Sequence, residues 1–368
     1  MRVFMLGASP SIALPPEAHW EAKLTKTGGN TGNQIIADSL LKQLRTSHVS
    51  WDYSVPPEQV GETFDMFVIA AANFLFPGCD LGGMAQYIEA TKLPCMMVGL
   101  GAQSSSYATD IPLQPGTDRL VRVVAERSHA IGVRGPFTRA VLEAKGIRNV
   151  QVTGCPSYYL SCRPELALRK PGLPDRPRLA INASRDVYRH SFDAGRMEHL
   201  VRGLTAAGVA YGADFIAQSE GEEITLADTP RTAERAGALD RLAAMFSGVA
   251  PEEALRAWLD GHMRVFFSVE AWTAAIKTYD FVVGTRFHGC ILALQHGVPA
   301  FVVCHDTRTA DMCGFLGLPH ASIVDLATIE IPELYARTDV GALRDRYAAL
   351  YPAYKAFLDG NGLPHRLA

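Results

Sequence analysis

The chain has 368 residues, 48% of them hydrophobic, with 35 Lys and Arg against 38 Asp and Glu and a formal net charge of −3. That length and apolar content suit large cores and two domains, and the absence of a basic field removes electrostatic support for nucleic-acid binding. Any anion site must be local. The seven cysteines are an odd number, mostly inside apolar runs and without a CxxC pair, as expected for free thiols in a cytoplasmic protein. The opening stretch MRVFMLGASPSIALPPEAHW reads as a strand and loop, with neither a signal peptide nor the run of about 18 apolar residues that a membrane span needs.

Apolar runs predict strands over 2–7, 49–55, 65–71, 95–100, 130–133 and 150–153, with helical patterns between several of them. Such alternation argues for a mostly parallel sheet covered on both faces. After the first strand, Gly28, Gly29, Asn30, Thr31, Gly32 and Asn33 precede an amphipathic run over 35–44. Exposed N–H groups ahead of a helix can cradle an anion or a sugar hydroxyl; a plain strand-to-helix loop fits the spacing equally well. Ala70, Ala71, Ala72 and Asn73 end an apolar strand with small side chains, which admit either a substrate or a closely packed helix. Arg134 follows the 130–133 strand and precedes a helix over 137–145, and serves equally as a cleft residue or as a salt-bridge partner within its domain.

Arg, Pro and Leu dominate 161–177, the best linker in the chain. A new strand begins at Arg178 and ends in polar residues including Asn182 and Arg185; further strands are predicted over 209–217 and 264–268, with a mostly helical covering layer over 224–261. Chemistry is densest over 279–311. A buried strand over 280–284 leads into Thr285, Arg286, Phe287, His288 and Gly289, then a helix over 290–295, a turn at Gly297 and Pro299, and a second strand over 300–304 followed by His305, Asp306 and Arg308. Open α/β sheets bind ligands at such C-terminal strand ends, and helix N-termini attract anions. Arg286, His288 and Gly289 therefore describe a pocket for a phosphate or a carboxylate. A helix over 309–316, a weak strand over 322–324 and a helical tail over 340–358 complete the chain.

The run GTRFHGCILALQHGVPAFVVCHDTRT resembles the C-terminal signature of the polysaccharide pyruvyl transferase family, with Gly284, Thr285, Arg286, His288, Gly289, Gly297, Pro299, Asp306 and Arg308 all in register. Looser echoes lie at Asn30-Thr31-Gly32-Asn33, where many relatives carry an acid in place of Asn33, at 99–104, and over 127–156, where VTGCP has Cys155 in the place that relatives usually give to Asp. The resemblance implies an α/β fold of two Rossmann-like domains facing a cleft, a GT-B-like architecture. An acceptor-side domain would span 1–165, a phosphoenolpyruvate-side domain 175–340, and a helical tail 341–368 would cross back to the first.

It also implies transfer of pyruvate from phosphoenolpyruvate to a sugar, as a ketal, in exopolysaccharide biosynthesis. A donor with a phosphate and a carboxylate needs convergent cations: by resemblance Arg185, Arg286 and the Gly289 helix terminus, with Arg308, Asn30, Asn33 and Asn73 completing the substrate-binding set. Arg286 and His288 would be the catalytic pair, His288 either as the acid or as the donor to the departing phosphate. No cluster has metal-ligand spacing, so no metal is expected, and no cofactor beyond the donor. The partners would be phosphoenolpyruvate and a sugar or lipid-linked oligosaccharide, with no nucleic acid; peripheral contact with a membrane stays open. Two other functions compete: a GT-B nucleotide-sugar glycosyltransferase, for which Asp306 would have to hold the ribose, and a non-catalytic glycan-binding member of a polysaccharide assembly system.

Overall fold

A computed structural model of the chain describes residues 1–15, 17–185, 190–230 and 232–368. The strands before residue 153 are β1 (Arg2–Leu6), β2 (His48–Ser50), β3 (Met66–Ala70), β4 (Asn73–Leu75), β5 (Cys95–Val98), β6 (Gly101–Ala102), β7 (Ile131–Val133) and β8 (Val150–Val152). They form a parallel sheet in the order β2-β1-β3-β5, with the pairs β4-β6 and β7-β8 alongside, and a bridge from Leu100 to Val133 joins the last pair to the rest. All five residues of β3 are buried, which explains why its sequence is an unbroken apolar run instead of an alternation.

The second half holds β9 (Leu179–Asn182), β10 (Asp214–Ala217), β11 (Met263–Val265), β12 (Phe281–Gly284), β13 (Ala300–Cys304) and β14 (His320–Ser322). These pair in parallel in the order β11-β10-β9-β12-β13-β14, the arrangement of a dinucleotide-binding sheet, whose switch point falls between β9 and β12. The strand predicted over 209–217 is shorter than its apolar run. A helix, Ala194–Tyr211, occupies the first part and is closed by Gly212 at φ 60, so that β10 begins only at Asp214. The strand predicted over 264–268 stops at Val265, because Ser268 already caps the helix Val269–Ile276. The weak strand over 322–324 moves upstream, where His320 pairs with Val302.

One apolar cluster spans both sheets, taking in Val3, Val68 and Met96 from the first and Ala180, Val282 and Val302 from the second. Its centre is the helix Phe287–Gln295, which buries all nine residues between its own sheet, the helix Gly32–Gln43 and the short turn Pro156–Tyr159. A helix apolar all round has to be enclosed on every side, and this one ties the halves together.

The final helix, Val340–Gly360, buries Tyr347, Tyr351, Tyr354, Phe357 and Leu358. The Tyr354 ring stacks on Tyr159 at 4.0 Å and its hydroxyl donates to Gln43 Oε1 at 2.6 Å, while Arg45 N donates to Pro364 O. The tail thus returns from the second sheet to the first. The result is two Rossmann-like α/β units facing a cleft, in a GT-B-like arrangement. No helix among the described residues is long and apolar enough to cross a membrane.

Candidate active site

The C-terminal ends of β9 and β12 meet at the cleft, and Asn182 organises them. Its Oδ1 accepts from Arg286 N at 2.7 Å, and Thr285 Oγ1 accepts from Ser184 N at 2.6 Å. Those bonds fix the turn after β12, so the following helix begins at Phe287 and not at 290, with Arg286 as its N-cap and His288 in its first turn. The helix Gly32–Gln43 approaches from the other sheet. A side chain at Gly32 would begin 2.8 Å from Gln218 Oε1 and 3.1 Å from His288 Cβ, so only glycine lets the two helix N-termini come this close. Thr31 N donates to Gln218 O at 3.0 Å and holds the approach.

A small polar pocket opens where these elements converge. The first half lines it with Asn30, Asn33, Ala72, Asn73 and Arg134, and the second with Gln218, Arg286, Phe287, His288 and Arg308. Asn30 Oδ1 accepts from Gly32 N, and Asn33 Nδ2 donates to Thr27 O, so each amide has one end spent on shaping the loop. Asn73 Oδ1 accepts from Arg134 Nη1 at 2.6 Å.

Two expected residues lie elsewhere. Gly289 does not line the pocket. It is packed into the fold, where a side chain would begin 2.8 Å from Asn182 Nδ2 and 3.0 Å from Gln218 Nε2. Arg185 does not line it either: its guanidinium donates to Glu223 through two nitrogens, each at 3.1 Å, and also to Glu222. A guanidinium this buried needs counter-charge, and the helix Gly221–Asp228 supplies it from residues that do not line the pocket.

Arg134 and Gln218 are pocket residues that sequence reasoning did not assign. Arg134 makes no carboxylate pair among the described residues; it donates to Asn73 and to Ala71 O, and burial lowers its pKa to about 10. Its position in a turn after a strand was the available signal, but salt-bridge and cleft roles look alike in sequence. Gln218 lies just past β10, and nothing local marks it.

The charges are unevenly balanced. Arg286 is held by Glu220, fully buried, and by Ser219 through one terminal nitrogen. Burial by itself would raise the Glu220 carboxyl, yet Arg286 and the N–H groups of Ser219 and Gln218 bring it below its ordinary value. Arg308 Nε lies 3.6 Å from Asp306 Oδ2. Burial likewise opposes ionisation of Asp306, but Arg308, His305 and Thr309 hold its carboxyl well below the usual carboxylate range. Asp306 is committed as well, capping the helix Thr307–Leu316 through Thr309 and accepting from Gln103 Nε2 at 2.8 Å. It is fully buried and does not line the pocket, so it is not placed to hold a ribose.

Among the described residues, four buried N–H donors on pocket residues have no hydrogen-bond acceptor: Arg134 Nε, Gln218 Nε2, Arg286 Nε and Arg308 Nε. Buried donors are rarely left unmade in folded proteins, and four of them around one pocket call for a ligand with several acceptor oxygens. Burial, then Arg134, Arg308 and Arg286, push His288 well below the usual imidazole value, so it is neutral.

The sequence pattern that defines the family described as polysaccharide pyruvyl transferase matches residues 30–307. No curated protein matches the chain. Among solved structures, the UDP-N-acetylglucosamine 2-epimerase of Rickettsia bellii is similar with a TM-score of 0.46 and 11% identity, over 98% of this chain and 95% of that one. The E. coli ADP-heptose LPS heptosyltransferase II gives a TM-score of 0.38 and 10% identity, over 98% and 99%. Overlaps this loose carry no argument about fold or chemistry.

Proposed function

Because this chain belongs to the polysaccharide pyruvyl transferase family, we propose that its pocket takes phosphoenolpyruvate and passes the enolpyruvyl carbons to a sugar as a ketal. The acceptor is a sugar residue of a polysaccharide or of its lipid-linked precursor, met on the cytoplasmic side. The observation that carries this reading is the set of four acceptor-less N–H donors on three arginines and a glutamine, gathered beneath two helix N-termini. A phosphate and a carboxylate on one small molecule offer the oxygens such donors need.

The chemistry follows from the donor. A proton added to the methylene carbon leaves an oxocarbenium-like centre at the neighbouring carbon. One sugar hydroxyl adds there and loses its proton. A second hydroxyl then displaces the phosphate as the C–O bond breaks, its proton passing to the departing phosphate, which closes the ketal and releases inorganic phosphate. The three arginines stabilise the anion throughout, the largest kind of contribution a fixed site can make. His288, neutral before binding, donates to the phosphate oxygens. The bound dianion offsets part of the arginine charge around the imidazole, which acts as a neutral donor to the departing phosphate. The Glu220 and Ser219 contacts aim Arg286 and leave its Nε toward the ligand. These cations supply the charge a metal would otherwise bring, so the reaction needs no cofactor beyond the donor.

Incubating the protein with phosphoenolpyruvate and lipid-linked oligosaccharides, and following both phosphate release and the ketal methyl signal by NMR, tests the reading. His288→Ala should abolish both signals with the fold intact. Binding of nucleotide sugars in place of phosphoenolpyruvate, or full activity in His288→Ala, would overturn it.

A further inference from the structure

His288 has one close neighbour of a different kind from the arginines. Cys155, at the turn after β8, lies with Sγ 3.5 Å from His288 Nε2, and both residues are buried. On the far side of the sulfur, Ser157 Oγ lies 3.0 Å away, and Ser157 is fully buried too. The hydroxyl and the thiol each have one proton to donate. Were Cys155 to donate to Ser157, the serine proton would have no acceptor in a sealed place, and sulfur would have to accept from the imidazole. The arrangement that uses every proton runs from Ser157 O–H to Cys155 Sγ and from Cys155 S–H to His288 Nε2.

We infer that Cys155 is a positioning residue, whose thiol donates to His288 Nε2 and so places the imidazole proton on Nδ1, the nitrogen left for the ligand. The inference deepens the proposed function and rests on it for the identity of that ligand. Ring tautomers are set by the bond that the other nitrogen makes. A carboxylate at position 155 would do the opposite, because it can only accept: it would hold a proton on Nε2 and favour the imidazolium. The charged groups facing His288 are Arg134, Arg308 and Arg286, all disfavouring the imidazolium. A thiol adds no charge to that set, and His288 stays a neutral donor.

The test uses the full chain labelled with 15N-histidine, with long-range 1H–15N spectra and the His288 signals identified by their loss in His288→Gln. Wild type and Cys155→Ser should both show the proton on Nδ1, the serine hydroxyl standing in for the thiol. Cys155→Ala should lose that preference, and Cys155→Asp should move the proton to Nε2. In Cys155→Asp the His288 titration, and with it the acidic limb of the rate profile, should shift upward by roughly one unit or more. Thermal melting confirms that each variant is folded. The spectra need no substrate, so this pattern in a chain that ignores phosphoenolpyruvate supports the tautomer assignment and sinks only the proposed function. A wild-type proton on Nε2, or a Cys155→Ala spectrum matching wild type, overturns the inference.

Discussion

Two arginine environments sit side by side at the switch point, and they are balanced differently. Outside the pocket lining, Arg185 faces two carboxylates, Glu222 and Glu223, and its guanidinium is engaged by them. In the pocket, Arg286 pairs with Glu220, Arg308 lies near Asp306 and Arg134 has no carboxylate partner, and each keeps its Nε without an acceptor among the described residues. Both environments lie at strand ends of the same fold. A strand-end arginine is therefore not a ligand site by virtue of its position. What decides is whether the fold has already spent its donors, since a buried guanidinium satisfied by carboxylates has nothing left to offer a guest.

That contrast can be broken experimentally. The largest effect should fall on Arg286→Ala and Arg134→Ala, with turnover reduced about 10²–10³-fold, the size seen when a fixed electrostatic donor is removed. Phosphate release would measure it, and Arg286→Lys should not recover the loss, because an ammonium cannot form the planar fork. Turnover near wild type in Arg134→Ala would erase the distinction between the two environments.

Arg185→Met should do the reverse. It leaves Glu223, only 3% exposed and already pushed up to about 7 by burial, without its partner, and should cost about 1–3 kcal/mol in denaturant unfolding. The folded fraction should retain a KM for phosphoenolpyruvate within about threefold of wild type, because the lost contacts lie outside the pocket; a far larger rise in KM would put Arg185 back among the substrate ligands.

A smaller effect is expected with pH. Burial is the main cause that lowers His288 well below its ordinary value and takes His305 and His296 to about 4. For each, the unfolded chain takes up a proton near 6.5 while the folded chain refuses it. Their contribution to stability is therefore present above pH 6.5 and is lost as the pH falls toward 4. Tm should drop between pH 7 and pH 5, and a bound anion in the pocket should soften the part due to His288. Least of all should change on chelation: EDTA should leave turnover within experimental scatter.

Much of the organisation is legible along the chain. The β3 and β13 runs are continuous apolar stretches of the kind a doubly covered parallel sheet demands, and the turn holding Arg286 and His288 between strand and helix is readable from local pattern. Errors cluster where a neighbour sets the boundary. The helix before β10 runs on to Tyr211 because Gly212 adopts a left-handed conformation, and β14 sits where β13 pairs with it. The pairing that places β14 is held in no window of sequence, whereas Gly212 is a local stop signal that the apolar run masks.

The sequence by itself determined the fold class, the family, and an arginine and a histidine on the lip of one strand, because hydrophobic periodicity and a dense motif are local properties. Only the tertiary structure decided which cations share a pocket. Arg134 joins from 152 positions before Arg286, Gln218 arrives from the end of another strand, and Arg185 is withdrawn by Glu222 and Glu223. The physical reason is that a buried charge belongs to whichever partners packing brings within hydrogen-bonding reach, and those partners are chosen by the meeting of two sheets.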